Sequence, residues 1–306
     1  MATNNFKPFG ISNGANVTSQ ADYEALAALL TGFTAGKASS AQINKALRQG
    51  TVMASVLAQF ISDSASVDVL DDGSTATILA NLKKGMTALT PGRLLNVRVF
   101  TTSGTYTPTP GTAAVVVELL GAGGAGGGVT TTTGGAAAPG GGGGGYGRKR
   151  ITSGFSGVTV TIGAGGTGGA FAAGGNGGGS SFGTLMTCSG GTGGGVGSVT
   201  TSNVVPMGVV GAGGSATLAD VSVFGGSGQV GLAGPSFSQS GQGGCSEYAP
   251  PTFGPSSVSG SGYISNGVAA LANRGAGGSG AVGLNNSIQA SGGPGSSGLC
   301  IVWEYS

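Results

Sequence analysis

Gly121-Ala122-Gly123-Gly124-Ala125-Gly126 follows an apolar run and spells Gly-x-Gly-x-x-Gly, the turn that lays a dinucleotide pyrophosphate on a helix N-terminus. Its context removes that chemistry. The motif needs a helix after the glycines and an acid about 20 residues on, whereas Gly127, Gly128 and a threonine run come next and the following acid is Asp220. Gly36-Lys37 leads into Ala38, so a Walker phosphate loop is absent as well. The chain has no histidine, which takes away the commonest general base and metal ligand together. Cleavage of a glycan would need paired carboxylates. Beyond residue 110 the acids are Glu118, Asp220, Glu247 and Glu304, and Glu118 and Glu304 fall in predicted strands, so a surface-polysaccharide depolymerase would rest on Asp220, Glu247 or contacts between subunits. Cys188, Cys245 and Cys300 are odd in number and widely spaced, which signals neither a disulfide framework nor a zinc site, but small packing residues from a reducing cytosol. The reading is a protein that is not an enzyme and uses no cofactor and no metal.

Recognition chemistry is better represented. Outside the predicted strands stand Tyr146, Phe155, Phe171, Phe182, Phe224, Phe237, Tyr248, Phe253 and Tyr263. Most of the phenylalanines are expected to plug gaps, while a phenol wants a polar partner and is favoured at binding surfaces. Residues 235 to 274 break the surrounding glycine rhythm with prolines, Phe237, Tyr248, Phe253, Tyr263 and Arg274, and are expected to form the binding tip. Residues 129 to 139 and 196 to 208 are second-choice loops. Arg148-Lys149-Arg150 is the sole basic run, a candidate contact for an anionic ligand in a chain whose net charge is only +2. So small a charge points away from nucleic acid as a partner.

The elements that must position these residues are dictated by glycine. Nine of the 69 glycines precede residue 110 and sixty follow it, with Gly-Ala-Gly-Gly recurring at 121, 163, 211 and 275. Three copies follow apolar runs, at Val115 to Leu120, Val158 to Ile162, and Val209 with Val210. Glycine brings no side chain to a core and loses the most entropy on folding, so such a segment is either disordered or locked by its backbone. Disorder goes with high net charge and few apolar residues, and residues 111 to 306 hold eight charged side chains among many Val, Ile, Leu and Phe. Collagen requires glycine at every third position, a register broken by Gly140 to Gly145 and Gly174 to Gly179. What remains is extended chains of the left-handed three-residue type, exchanging N–H and C=O bonds between segments.

Four regions are predicted: a helical region (1–90), a β neck (91–120), a glycine-rich domain (121–298) and its closing strand (299–306). The fold class is α followed by β and irregular structure, with polyglycine II-like segments and a few strands. Ser19 to Asp22 has capping-box spacing before Leu26, Leu29, Leu30 and Phe33, a short helix ending before Gly36. A second helix begins near Ser39, and Ile43, Leu47, Gly50, Ala54, Leu57 and Ile61 step by 4, 3, 4, 3 and 4, a seam that suits helices around a common axis or packing within one chain. A third follows Asp71, Asp72 and Ser74 and stops before Gly85. Leu95, Val97 and Val99 alternate as in a half-buried strand, and Val115 to Leu120 is expected to pair with Leu299 to Tyr305. Met1 to Gly10 lacks the apolar core of a signal peptide and no apolar run reaches about 18 residues, so neither secretion by that route nor membrane insertion is expected.

Three stretches carry a family resemblance. Ala2 to Phe9 (ATNNFKPF), Ser19 to Leu26 (SQADYEAL) and Lys37 to Gln49 (KASSAQINKALRQ), continued by Asp68 to Gly73 and Val99 to Tyr106, resemble the N-terminus of tail fibre proteins of enterobacterial phages and prophages. The remainder is similar to glycine-rich receptor-binding domains of tail fibres and, more distantly, to T-even phage adhesins built of packed polyglycine helices. The resemblance implies a homotrimeric virion tail component, assembled in the host cytoplasm and released by lysis. Its helical end would meet other tail proteins, and its glycine end a bacterial outer-membrane protein or lipopolysaccharide. A structural tail fibre or tail-tip subunit without its own receptor is the alternative. The chain departs from the T-even adhesins in joining attachment and tip, so their monomeric state and loop positions do not carry over.

Overall fold

Leucine, isoleucine and valine are concentrated at helical spacing before residue 90 and in short β-branched runs after it, and the chain folds as two units divided accordingly, Met1–Pro91 and Gly92–Ser306. The computed structural model describes residues 2–33, 39–130, 133–258 and 262–306.

In the first unit the helix predicted after Ser19 is two short ones, α1 (Gln20–Glu24) and α2 (Ala28–Thr31). Ser19 caps α1 as its spacing predicts, its Oγ accepting from the Asp22 N–H at 3.1 Å. The expected amphipathic face buries little, for Leu30 is 94% exposed. Its expected end at Gly36, with Lys37 and Ala38, lies outside the described residues. Helix α3 (Ser40–Ala65) runs unbroken through Gly50. Helix α4 (Thr75–Ala88) is capped by Ser74, whose Oγ accepts from the Thr77 N–H at 3.3 Å, and continues past Gly85. There α3 comes so close that a Cβ would stand 3.2 Å from the Cβ of Ser64, so Gly85 serves helix contact, not termination. Ala58, Ile61 and Val69 form the core with Phe6, Ile78 and Leu82 packed on it. The predicted seam therefore divides: Ile61 turns into this core, while Ile43, Leu47 and Leu57 remain exposed on α3.

Among the described residues the second unit has four sheets. The first has the order β1 (Leu94–Phe100), β18 (Leu299–Tyr305), β3 (Ala114–Leu120), β5 (Tyr146–Ile151) and β12 (Val221–Val223), all neighbours antiparallel. The predicted pairing of residues 115–120 with 299–305 is present, Val117 opposite Val302. The expected neck strand, β1, lies on the other side of β18 and shares this sheet with the glycine-rich region. The second sheet runs β11 (Ala216–Thr217), β8 (Met186–Cys188), β7 (Ser180–Phe182), β6 (Thr159–Thr161) and β2 (Gly104–Thr105). Val115, Val117, Leu119 and Val302 meet Val160, Phe182 and Met186 between these two sheets in the main core. Alternation explains it: the odd residues of β3 point inward and Val116 and Glu118 point out.

The third sheet runs β16 (Tyr263–Ser265), β17 (Val282–Leu284), β4 (Gly135–Ala137) and β9 (Ser198–Thr200), and the fourth β10 (Val205–Met207), β13 (Gly231–Gly234), β14 (Phe237–Gln239) and β15 (Ser256–Val258). Ala137 and Val282 of one touch Met207 and Ala233 of the other. Two expectations are corrected by these sheets. Residues 129–139 and 196–208 are not loops throughout, because β4, β9 and β10 occupy them and Ala136, Ala137 and Ala138 are buried.

Glycine tracts connect the two sheet pairs. Along one of them the N–H groups of Gly121, Gly124 and Gly127 donate to Gly145, Gly142 and Pro139; those of Ala122, Ala125 and Gly128 to Gly178, Gly175 and Ala172; and those of Gly123 and Gly126 to Ser296 and Gly293. The eight bonds span 2.8–3.1 Å and rotate among three neighbours with a period of three residues. Carbonyls of the same tract accept from Gly191 and Gly194, from Gly166, and from Gly278 and Ala281, three further neighbours. Residues 140–145 repeat the rotation, donating to Gln229, Gly278, Thr192, Gly226, Gly275 and Ser189 in turn. Side chains are excluded by this approach of backbones: a methyl on Gly123 or Gly142 would run into the carbonyl of Ala276 or Ala212. Backbone polar groups with no partner inside their own tract are thus satisfied by adjacent ones.

Candidate functional site

β3 and β5 bring the principal charged residues to one sheet face. Their register sets Glu118 opposite Arg148, Leu120 opposite Tyr146 and Val116 opposite Arg150. Alternation then splits the basic run. Arg148 and Arg150 are exposed on the outer face with Glu118, while Lys149 points the other way, its Nζ donating to the Leu185 carbonyl at 2.9 Å. The expected three-cation patch is corrected to two arginines. Arg148 Nε lies 3.8 Å from Glu118 Oε1, and the Arg150 N–H donates to Asp220 Oδ2 at 2.8 Å.

A glycine tract descending from β14 turns at Ser246–Ala249, where the Ser246 N–H donates to the Ala249 carbonyl at 3.0 Å, and this turn covers the same sheet face. Tyr248 donates its phenolic hydrogen to Glu118 Oε2, and its ring meets that of Tyr146 edge-on with centroids 5.9 Å apart. Burial, reinforced by the hydrogen bond to Glu118, pushes the Tyr248 phenol well above the ordinary tyrosine range. Burial and the charge of Glu118 do the same for Tyr146. Tyr146 is only 8% exposed, which corrects its assignment to a recognition surface. Arg274 is exposed in a neighbouring turn tied to this one, Ser246 Oγ donating to the Arg274 carbonyl and the Arg274 N–H donating to Ser296 Oγ at 2.8 Å.

Residues 235–274 are not one tip. Phe237 lies half-buried on β14 opposite Gly234, and Tyr263 is partly exposed on β16 opposite Leu284, both in the second sheet pair, whereas Tyr248 and Arg274 stand in turns against the first. Phe253, 67% exposed, follows the Gly243–Thr252 bridge. Phe155 and Phe182 fill the core as expected, but Phe171 and Phe224 are exposed.

Loops do gather beyond the second sheet pair. The Gly134 N–H donates to Asn285 Oδ1 at 2.7 Å, Asn286 Nδ2 donates to the Gly262 carbonyl at 2.7 Å, and a Cβ on Gly234 would meet Val204 at 2.8 Å. The exposed side chains there, Val204 and Ile288, were not singled out by sequence, because isolated aliphatics carry no chemical signal. Glu118 was missed as a hub because its acid was assigned only to a strand; its outward place in the alternation of β3 is the signal that finds it.

The acid that closes β18 has a different setting. Glu304 is buried, with Oε1 accepting from Arg98 Nε at 2.9 Å and from the Tyr106 hydroxyl at 2.8 Å, and Oε2 from the Thr109 N–H at 3.3 Å. Burial works against its charge, yet hydrogen bonds from Thr109, Tyr106 and Arg98 hold the carboxyl below its ordinary range. Cys188 and Cys300 are free core thiols, each pushed up to about 12 by burial. Among the described residues no cluster of three or more Cys, Asp or Glu is arranged to hold a metal ion, and no helix is long and apolar enough to cross a membrane.

These features define a mostly β protein whose sheets are joined by interbonded glycine tracts and in which Glu118, Lys149, Asp220 and Glu304 anchor sheets and turns. The chain belongs to the glycine-rich domain family, whose model matches residues 101–305. The comparison with curated proteins finds no match.

Proposed function

We propose that the protein is a non-enzymatic adhesin, a tail-fibre receptor-binding protein of a phage or prophage, that recognises an outer-membrane protein or lipopolysaccharide of an enterobacterial host. The observation that carries the reading is the three-residue rotation of hydrogen bonds along Gly121–Gly128. It supports taking the tracts as polyglycine II helices, which have three residues per turn and no internal hydrogen bonds. A lattice of such helices is a rigid stage for the loops around Gly134, Val204, Gly262 and Ile288. Loops ordered in advance lose less entropy on binding. Receptor recognition is assigned to those loops and to exposed Phe253, Tyr263 and Arg274, with Arg148 and Arg150 as the contact for an anionic glycan. The exposed apolar stripe of Ile43, Leu47, Met53, Leu57 and Phe60 on α3 supports self-association, and a homotrimer would multiply weak contacts through avidity.

The test is binding of fluorescently labelled protein to enterobacterial cells and to mutants lacking single outer-membrane proteins or truncated in lipopolysaccharide. Binding lost with one deletion is the expected result. A folded protein that binds no strain its parent phage infects would transfer the assignment to a structural tail subunit.

A further inference from the structure

A cleft of about 410 Å³ opens on the flank of the lattice, where the tract leading into β13 meets the tract leaving β14. Its lining is uncharged: Val210, Val230 and Leu232 supply aliphatic surface, and Gln229, Gln239 and Gln242 supply amides. The volume falls within the roughly 300–1,000 Å³ typical of small-ligand sites.

The three amides share one state. Their backbones are fixed, the Gln229 N–H donating to the Gln242 carbonyl at 2.9 Å, the Gln229 carbonyl accepting from Gly140 at 3.0 Å, and Gln239 standing opposite Leu232 in the β13–β14 ladder. Their side chains have no hydrogen-bond partner among the described residues. Each therefore presents a donor pair and an acceptor from a stationary backbone.

The chemistry of the occupant follows from what the cleft offers and withholds. β13 is paired on both sides, to β10 and β14, and β14 to β13 and β15, so no free ladder edge is available to a peptide strand. No lining residue carries a charge to meet an anion. Paired donors and acceptors beside aliphatic carbon match a pyranose ring, whose hydroxyls ring an apolar C–H face. We propose that this cleft binds an uncharged oligosaccharide, with Gln229, Gln239 and Gln242 bonding its hydroxyls and Val230 and Leu232 packing on the ring. The assignment stands apart from the adhesin reading and does not require that reading to hold.

The full chain, labelled with nitrogen-15, is titrated with maltotriose, triacetylchitotriose and lactose while the side-chain amide signals are followed, with trigalacturonic acid as the anionic comparison. At least one neutral probe should shift the three glutamine amides saturably. Gln229→Ala combined with Gln239→Ala should weaken that binding by about tenfold or more, with thermal unfolding unchanged because both side chains are exposed, and Leu232→Ala should weaken it separately. The proposal is overturned if no neutral probe moves these amides, if the double variant binds as the parent does, or if the anionic probe binds as well as the neutral ones. Cell binding enters none of these outcomes, so failure here and failure of the adhesin reading are separable.

Discussion

Tyr248 and Glu118, 130 positions apart, are joined by a hydrogen bond from phenol to carboxylate that fastens a turn of the glycine region onto the outer face of the first sheet. Glu118 gains a second partner in Arg148, and Tyr248 a second in the ring of Tyr146. Tyr248→Phe keeps the ring contact and removes the donor. A hydrogen bond to a charged group contributes about 1.5–3 kcal/mol, less where solvent reaches it, so the variant should lose about 1–2 kcal/mol in denaturant unfolding. Amide exchange of Ser246 and Ala249 should quicken while that of β3 stays slow.

Glu304 makes stability depend on acid. Its folded carboxyl lies below the ordinary value, so the charged form contributes stability that is complete above the unfolded value near 4.3 and is lost as pH falls through the folded one. Unfolding midpoints of the parent should fall below that pH. Glu304→Gln should start lower at neutral pH and show a flatter acid limb; an identical acid limb in both proteins would remove Glu304 as the cause.

Glycine substitutions should separate by location. Gly50 lies in α3 with open space around it, so Gly50→Ala should stabilise the first unit by about 0.5–1 kcal/mol. Gly142→Ala places a methyl against the Ala212 carbonyl inside the lattice, and no flexible side chain is available to yield. The second unit should then fail to fold, read as loss of protease resistance in residues 92–306.

Removing Ile301 to Ser306 takes away most of β18, the strand between β1 and β3, together with Glu304. Both neighbours lose their ladder and the main core loses Val302. The truncated chain should be insoluble or rapidly proteolysed across the glycine region, and a resistant, soluble product would deny β18 its closing role.

If cell binding uses the basic face, Arg148→Ala with Arg150→Ala should reduce it, whereas Lys149→Ala should leave it near the parental level and act on stability through the lost bond to Leu185. Equal losses from both variants would show that the run acts through the fold instead of through contact.

Much of the architecture was legible in residue order. The β-branched runs of β3 and β18, the caps at Ser19 and Ser74 and the backbone packing implied by sixty glycines are local or compositional signals, and each depends on a residue's own conformational preference. Partner choice was not legible. Nothing in Gly121-Ala122-Gly123 names Gly145, Gly178 and Ser296 as the acceptors of its three N–H groups, because glycines are chemically identical and only the packed arrangement distinguishes them. The sites divide likewise: sequence supplied Tyr248, Arg148 and Glu118 as chemical types, and tertiary structure alone buried Tyr146, turned Lys149 inward and set three glutamine amides around one cleft. Composition and periodicity determined that backbones would pack. Long-range hydrogen bonds, which carry no side-chain signature in a glycine tract, decided which backbones meet and which side chains are left facing water.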